Sequence, residues 1–315
     1  MIKANSNILT IRERFDKNKE KLILLLIALP FIIITFMFNY VPLFGWILSF
    51  FDYTPGVPLN QTSFVGLQFF ISMFTDQRDD IINVMTNTFV LSFLGILCTP
   101  LPVIFAIMLN EVQSTKFKKL VQTTTTLPNF ISWIIVFSLA FTMFSSEGFT
   151  NTLLINMKII KEPLSIMANA DITWAFQTIL SVWKTLGWSA IIYIATMSGI
   201  DSEQYEAATI DGAGRLGKIL HVTLPGISST FFVLLLLNIS NILSSGGGLE
   251  QYFVFYNGPV GAKIEVLDYY IYRIGVVSNF YSYATAIGVL KSLLSIALLF
   301  GANTLSKKVR GISII

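Results

Sequence analysis

The sequence is poor in the residues that build disulfides, metal clusters and charged surfaces. Among its 315 residues there are one cysteine, Cys98, and one histidine, His221. A single cysteine excludes an internal disulfide and any cysteine-based metal cluster, and a single histidine leaves no local His-metal constellation. Charged residues make up only 12% of the chain, against roughly 25% in a typical globular domain. These scarcities argue against an ordinary soluble enzyme.

Apolar residues dominate what remains. They make up 54% of the chain, with 27 phenylalanines, and the mean hydropathy is +0.69. A membrane-spanning helix needs about 20 mostly apolar residues. Six stretches are long enough, and only two of them contain a charge, Lys184 and Lys291. The sequence therefore predicts an all-α integral membrane protein with six transmembrane helices, near 22–42, 87–110, 121–145, 173–198, 226–246 and 283–305.

The distribution of lysine and arginine predicts the orientation of these helices. Of the 21 basic residues, 14 lie in the two tails and in the loops 111–120 and 201–221, while 5 lie in the connections on the other side. Short loops rich in Lys and Arg face the cytoplasm. We therefore expect a cytoplasmic N-terminal tail (1–21), a six-helix transmembrane domain (22–305) and a cytoplasmic C-terminal tail (306–315).

The loop 201–225 contains glycines that resemble nucleotide-binding motifs. Gly212 to Gly217 matches G-x-G-x-x-G, and Gly212 to Lys218 nearly spells a P-loop. A dinucleotide site needs a preceding strand and an acidic residue about 20 positions later, and neither is present here. A P-loop needs Ser or Thr where Ile219 stands. We therefore predict that this chain itself binds no nucleotide cofactor and no metal.

The same loop reads well as a short helix followed by a turn. Asp201 is suited to cap the helix N-terminus. The small side chains of Ala207 and Ala208 permit close approach by another surface, and Gly212 allows a sharp turn that other residues resist. An ordinary connecting helix is the alternative that this local reasoning leaves open.

The loop also carries a recognisable sequence pattern, Glu206-Ala207-Ala208, three residues, Gly212, nine residues, and Val222-x-Leu224-Pro225. This pattern resembles the EAA motif of binding-protein-dependent ABC importer permeases, with Val222 in place of isoleucine. We call residues 201–225 the EAA loop. Similarity to the carbohydrate, polysaccharide-type branch of these permeases extends over further segments: Asn110–Glu111, Phe117–Leu120, Leu127–Trp133, Trp183–Trp188 and Tyr205–Ala213.

The resemblance implies a type I ABC importer permease bundle with a cytoplasmic coupling helix. In that family the EAA loop docks in a cleft of a separate ATP-binding subunit. Glu206, Ala207, Ala208 and Gly212 would then couple transport to ATP hydrolysis. Val222, Leu224 and Pro225 would fix the exit of the loop into the next spanning helix.

The resemblance also implies the partners and location of the chain. We expect a second homologous permease subunit, two ATP-binding subunits that hold ATP and magnesium, and an extracellular or periplasmic solute-binding protein. The surroundings would be the lipid of a bacterial cell membrane, with no nucleic acid. The chain would be a translocation subunit for oligosaccharides or polysaccharide fragments rather than an enzyme. An importer permease for a non-sugar solute remains the main alternative, and an intramembrane enzyme is a weaker one.

Polar residues within the fourth and fifth spans suggest a substrate pathway. They recur at helical spacing and so share a face of each helix, and intramembrane polar groups usually face a bundle interior or a wet cavity. The candidates are Gln177, Ser181, Lys184 and Trp188 on span four, and Asn238, Asn241 and Ser245 on span five. Interhelical hydrogen bonding is the alternative role for both sets.

Two further features leave alternatives open. Lys184 and Lys291 have no acidic residue of this chain within a span, so either they face the pathway or a partner chain supplies the carboxylate. The loop 247–282 carries Tyr252, Phe253, Phe255 and Tyr256. This loop is predicted either to meet the solute-binding protein or to fold onto the rim of the bundle.

Overall fold

The computed structural model describes residues 11–244 and 248–310, which form a helical bundle. Within these residues there is no β-strand, only an isolated antiparallel bridge between Phe51 and Phe64. The described chain contains six helical runs long and apolar enough to cross a membrane: Lys21–Phe50, Arg78–Asn110, Trp133–Asn156, Thr173–Ser198, Arg215–Ser240 and Tyr281–Lys308. The prediction of an all-α membrane protein with six spans is confirmed.

The α-helices alternate with short 3₁₀ and π segments. In the first half of the chain they are α1 (Ile11–Thr35), α2 (Gln68–Ser72), α3 (Arg78–Leu97), α4 (Pro100–Asn110), α5 (Thr115–Thr126), α6 (Trp133–Phe144) and α7 (Phe149–Asn156). In the second half they are α8 (Thr173–Ser198), α9 (Ser202–Ile210), α10 (Arg215–Lys218), α11 (Leu224–Ser240), α12 (Gly248–Phe255), α13 (Gly261–Ile264), α14 (Leu267–Tyr272) and α15 (Tyr281–Arg310).

The first part of the first span, α1, lies apart from the rest of the bundle. The helix α1 continues as a π segment, Phe36–Tyr40, and then as a 3₁₀ segment, Val41–Phe50. No residue of its most apolar window is buried against the chain, and only the 3₁₀ segment packs against α15. The apolar side chains of α1 therefore suit contact with lipid or with a neighbouring membrane helix.

The segment 121–145, expected to be the third span, is not a single helix, and the run long enough to cross a membrane begins only at Trp133. We call α5, the turn after it and α6 the broken third span. The helix α5 ends at Thr126, a 3₁₀ turn covers Leu127–Phe130, and α6 begins at Trp133. Pro128 has no N–H to continue the hydrogen-bond ladder. Ser132 then starts the new helix, because its Oγ accepts the N–H of Ile135 at 3.4 Å. The expectation of one continuous helix overlooked this break.

The fifth span begins earlier and ends earlier than the expected 226–246. Helical structure starts at Arg215, passes through a π segment at Ile219–Thr223, and ends at Ser240. Pro225 lies in the first turn of α11, but helical structure already begins ahead of it, at Arg215. A proline cannot donate the i→i−4 hydrogen bond, and a π segment is a known way to absorb such an interruption. The second half of the EAA loop is thus the beginning of span five.

Residues 248–280, which we call the distal segment, fold back onto the bundle. Tyr252, Phe255, Val260 and Ile264 are buried in one apolar cluster with residues of α6. Phe253 is 50% exposed and Tyr256 is 37% exposed. The structure therefore agrees with the alternative in which this segment packs on the rim. Span five separates it from the first part of the EAA loop, so the two lie at opposite ends; we call the end with residues 248–280 the distal end.

Side chains of α3 fasten the distal segment. Asn83 and Asn87 donate to the carbonyl oxygen of Ala262 at 2.9 and 2.8 Å. Asn87 also donates to the carbonyl oxygen of Glu265 at 3.1 Å. The carbonyl oxygens at the end of a short helix lack donors within that helix, and amides of neighbouring membrane helices can supply them. These contacts hold α13 and the residue that follows it against span two.

Candidate functional site

The first half of the EAA loop is a capped helix with a glycine stop. The carboxylate of Asp201 accepts the N–H of Glu203 at 3.0 Å. At the other end, the N–H of Ala213 donates to the carbonyl oxygen of Ala208 at 2.8 Å, and that of Gly212 to the carbonyl oxygen of Thr209 at 3.0 Å. These two bonds form a Schellman motif. Gly212 has φ +78°, a conformation that other residues rarely adopt.

The last residue of α9 and the short helix α10 each expose a large apolar side chain. Ile210 is 87% exposed and Leu216 is 74% exposed. Glu206 and Ala207 are exposed, and Ala208 is half-buried. Large apolar side chains that remain exposed beside polar ones are typical of a protein-docking surface. Exposed Ile210 and Leu216 were not among the predicted coupling residues, although both stand in the motif region.

The helix α9 is tied directly to span five. The hydroxyl of Tyr205 lies 3.0 Å from Oγ1 of Thr223. Val222 and Thr223 are buried, whereas Leu224 and Pro225 are exposed. A displacement of α9 would therefore move the first turns of span five with it. The sequence offered no signal for the Tyr205–Thr223 pair, because the two residues lie on different helices.

A cavity of about 480 Å³ lies between α3, α4, α8 and α11, and we call it the central cavity. Among the described residues that line it there is no Asp, Glu, Lys or Arg. Its polar side chains carry hydroxyls and amides, apart from the thiol of Cys98: Ser92, Thr99, Gln177, Thr178, Ser181, Thr185, Ser189, Asn238, Asn241, Ser244 and Tyr252. Such groups exchange hydrogen bonds with a polyhydroxylated solute without requiring it to carry charge. In the described chain, no group of three or more His, Cys, Asp or Glu could hold a metal ion.

The structure places the seven predicted pathway residues in different surroundings. Gln177, Ser181, Asn238 and Asn241 line the central cavity, whereas Lys184 and Trp188 are not among its lining residues. Ser245 lies outside the described residues. Trp188 is 48% exposed, and its ring meets that of Phe130 edge-on at 5.6 Å. The predicted polar face of α8 therefore divides between the cavity and the contact with the broken third span.

Lys184 donates hydrogen bonds to the carbonyl groups at the break in the third span. Its Nζ donates to the carbonyl oxygen of Asn129 at 2.8 Å and to that of Pro128 at 3.3 Å. The same atom lies 5.6 Å from the centre of the Trp133 ring. A helix break leaves carbonyl groups without a helical donor, and a lysine can satisfy two of them at once. This contact gives Lys184 a structural partner within the chain.

The helices α8 and α5 approach closely one turn further along. A Cβ on Gly187 would lie 2.3 Å from the carbonyl oxygen of Thr125. No real side chain tolerates that distance, so glycine is required for this crossing. Small residues allow such close approach between membrane helices.

The other intramembrane lysine finds its partner in the distal segment. Lys291 on α15 forms an ion pair with Asp268 on α14. The expectation that a second chain supplies the carboxylate is therefore wrong for Lys291. Asp268 was missed because it lies outside the spans in sequence, and only the fold of the distal segment brings it to the lysine.

A second ion pair stabilises the same segment. Nε of Arg273 lies 2.5 Å from Oε1 of Glu265, whose side chain is 10% exposed. Burial lowers the pKa of Arg273, but the hydrogen bond and the negative charge of Glu265 outweigh it and raise that pKa above its ordinary value. The pair connects the end of α13 with the end of α14.

Six spans around a polar cavity, with a capped helix projecting between spans four and five, define a subunit of a membrane transport system. Residues 98–311 match the family described as "Binding-protein-dependent transport system inner membrane component". This chain belongs to that family of transport permease subunits, and the resemblance noted in the sequence is confirmed. The family is one of multi-pass membrane proteins that work with a solute-binding protein.

Individual relatives cover nearly the whole chain. Protein LplB of Bacillus subtilis (strain 168) is 37% identical over 287 residues, which cover 90% of this chain and 88% of that protein. The polygalacturonan/rhamnogalacturonan transport system permease protein YteP of the same strain is 36% identical over 307 residues, or 93% of each chain.

A similar fold occurs in a solved transporter. It is a crystal structure of a bacterial ABC transporter involved in the import of the acidic polysaccharide alginate. The TM-score is 0.82 and the identity 30%, over 95% of this chain and all of that chain. A second structure of the bacterial alginate ABC transporter, in complex with an alginate pentasaccharide-bound periplasmic protein, matches with a TM-score of 0.83 and 30% identity, over 95% of this chain and 99% of that chain.

Proposed function

We propose that this chain is the permease subunit of an ATP-driven importer for oligosaccharides or polysaccharide fragments. The observation that carries the proposal is the central cavity, whose polar lining consists of hydroxyl and amide groups. Named relatives that transport polygalacturonan, rhamnogalacturonan or arabinooligosaccharides support a saccharide as the solute. The chain itself breaks no bond, and its contribution is to hold and release the saccharide.

The pathway through this chain passes along the facing sides of spans four and five. Gln177 and Ser181 offer polar groups from one side, and Asn238 and Asn241 offer amides from the other. Amides and hydroxyls both donate and accept, so they match sugar hydroxyls in either orientation. Lys184 and Trp188 act indirectly, by holding the broken third span against span four.

The energy for transport enters through the EAA loop. Glu206, Ala207, Ala208 and Gly212 form the helix and turn that dock on an ATP-binding subunit, where ATP and magnesium are bound. Val222, Leu224 and Pro225 lie where the loop joins span five. The Tyr205–Thr223 contact supports this route, because it connects the docking helix to that span.

The working assembly contains this chain, a second homologous permease subunit, two ATP-binding subunits and an extracellular or periplasmic solute-binding protein.

Both termini and the EAA loop face the cytoplasm of a bacterial cell. Fourteen of the chain's 21 basic residues lie on that side, which supports this orientation. Reporter fusions after residues 60, 160 and 260 should report the outside, and fusions after residues 115 and 210 the inside. An outside signal after residue 210 would contradict coupling through the EAA loop.

Uptake by the complete transporter in lipid vesicles tests the pathway. Asn238→Leu removes an amide from the cavity wall at similar volume. We expect it to lower oligosaccharide uptake about tenfold, the factor that corresponds to losing one or two good hydrogen bonds. Ser138→Ala is the control, because that hydroxyl lies on α6, is exposed, and bonds only to its own helix. Equal uptake in Asn238→Leu and the unaltered transporter would contradict the pathway. Uptake of a non-sugar solute instead would replace the saccharide proposal.

A further inference from the structure

A short helix of the distal segment lies between two cavities. The first residues of α12 reach the central cavity, which Gly248 and Tyr252 help to line. Its last residues, Val254 and Phe255, help to line a second cavity of about 720 Å³ at the distal end. We call this second cavity the distal pocket. A solute moving between the distal pocket and the central cavity would have to pass α12.

Aromatic rings close the space beside α12. Phe255 is 2% exposed. Its ring lies 5.2 Å from that of Phe137 and 6.3 Å from that of Phe176, both nearly edge-on. Phe176 in turn meets Phe144 at 5.6 Å. Edge-to-face packing of this kind leaves no room for a sugar ring. The observed arrangement therefore separates the two cavities.

Two glutamines hold α12 against span four. Gln251 is fully buried, and its Nε2 donates to the carbonyl oxygen of Gln177 at 2.9 Å and to Oε1 of Gln177 at 2.8 Å. With two acceptors facing the same nitrogen, the orientation of this amide is fixed. Gln177 also lines the central cavity, so the contact lies at the border between cavity and helix.

One polar atom of the Gln177–Gln251 contact has no hydrogen-bond partner among the described residues. Oε1 of Gln251 is buried and accepts no hydrogen bond from the described residues. A buried polar atom without a partner destabilises the arrangement that contains it. An apolar side chain would seal the same position without this cost. The glutamine pair therefore makes a contact that is specific but easier to open than an apolar one.

The helix α12 begins with a glycine, a residue about which the helix can change its orientation. Gly248 has φ +70°, and a Cβ added there would meet no other atom within 4 Å. Glycine adopts this conformation and its alternatives without the strain that a side chain would add. The helix can therefore move about its first residue with little backbone strain.

We propose that α12 is the distal gate of the translocation pathway and that the Gln177–Gln251 hydrogen bonds keep it closed. Opening withdraws Gln251 from Gln177 and Phe255 from the surrounding rings, which joins the distal pocket to the central cavity. The idea rests on the proposed transport function, but its central test needs no saccharide.

The single cysteine of the chain provides that test. Cys98 lines the central cavity, so a charged thiol reagent that cannot cross the membrane reaches it from the distal side only when the gate is open. The complete transporter in oriented vesicles is treated from the distal side, and the labelled chain is separated from its partners by electrophoresis. Gln251→Glu turns a carboxylate towards the two oxygens of Gln177 at nearly unchanged volume. We expect labelling to become about tenfold faster, the factor that corresponds to losing these hydrogen bonds.

Matched variants separate gating from general damage. Gln68→Glu adds the same charge at an exposed position of α2 and should leave the labelling rate unchanged. Gln251→Ala removes the hydrogen bonds without adding charge and should also accelerate labelling. It remains informative if Gln251→Glu fails to assemble with the other subunits. Slow labelling of Cys98, as in the unaltered chain, in whichever assembled Gln251 variant is measured would overturn the gate.

A locking experiment tests the same idea in the opposite direction. With Cys98 replaced by serine, Gln177→Cys and Gln251→Cys are joined by a short reducible cross-linker. The reference is the same variant before cross-linking, because Gln177 also lines the pathway and its loss lowers uptake by itself. We expect cross-linking to abolish the uptake of that reference and a reductant to restore it to the reference level. Uptake that continues at the same rate in the cross-linked transporter would also overturn the gate. If Cys98 labelling responds to Gln251 variants but no saccharide is taken up, the gate stands and the proposed substrate fails.

Discussion

The EAA loop and the distal segment lie at opposite ends of the bundle, and their structures have different origins. In the EAA loop, α9 is defined by neighbours in sequence: Asp201 begins it and Gly212 ends it. In the distal segment the decisive partners are far apart, such as Asn87 with Ala262 and Lys291 with Asp268. Local hydrogen bonds can be read from sequence, whereas long-range partners become visible only in the fold. The five predictions below test whether this distinction also holds for stability and function.

The largest effect is expected at a long-range contact within the spans. Gly187→Ala would place a Cβ 2.3 Å from the carbonyl oxygen of Thr125, so α8 and α5 must separate. We expect a loss of at least about 3 kcal/mol, at the upper end of overpacking effects, and little assembled protein in membranes. Gly288→Ala is the control, since a Cβ there meets nothing within 4 Å. Similar yields and thermal stabilities for the two variants would show that the crossing adapts.

The next largest effect concerns coupling, at a locally defined position. Gly212→Val forces a branched residue into φ +78°, which strains the turn. We expect insertion into the membrane to continue, while ATP-driven uptake falls more than about tenfold and the ATP-binding subunits dissociate in detergent. Gly212→Asn is the matched control, because asparagine tolerates this conformation better than other residues.

Glu206→Lys tests the same docking surface through charge. It reverses an exposed charge on α9 without altering the backbone. We expect a similar loss of uptake, measured together with retention of the ATP-binding subunits on a tagged transporter. A mispaired charge at an interface typically costs about 2–5 kcal/mol. Normal uptake and normal retention in both Glu206→Lys and Gly212→Val would identify the loop as a plain connector.

The local signals explain how much of the molecule the sequence could predict. The six apolar runs predicted the spans, and the pattern from Glu206 to Pro225 predicted the family. The expected span 121–145 ran through Pro128, because no charged residue interrupts the sequence there. The hydrogen bonds between Gln177 and Gln251 could not be predicted, because the two residues lie 74 positions apart in the sequence. Hydropathy reports burial in lipid, but it does not report which polar groups meet inside the bundle.

A smaller effect is expected where a long-range contact satisfies a helix break. Lys184→Met removes the donor for the carbonyl oxygens of Asn129 and Pro128. Hydrogen bonds to a charged group contribute about 1.5–3 kcal/mol, so we expect a destabilisation of about 2 kcal/mol in thermal unfolding of the purified transporter. Lys184→Arg keeps the charge and the donors and should recover part of the loss. Because Lys184 does not line the central cavity, uptake of neutral and uronate-containing saccharides should fall in the same proportion. A selective loss of uronate uptake would return Lys184 to the pathway.

The smallest effect is expected at the start of α9, where structure depends on one side chain. Asp201→Ala removes the acceptor for the N–H of Glu203, and loss of such a cap costs about 1 kcal/mol. The helix is exposed, and its C-terminal Schellman bonds and the Tyr205–Thr223 contact remain. Uptake by Asp201→Ala should therefore fall only about two- to fivefold, the range that about 1 kcal/mol allows. Asp201→Asn is the control: it keeps an acceptor at the helix start and should transport normally. Hydrogen exchange at the amides of residues 203–205 would locate the change. Faster exchange there without any change near span five would show that α9 frays locally, whereas loosening of both would show that the cap also stabilises the junction with the span.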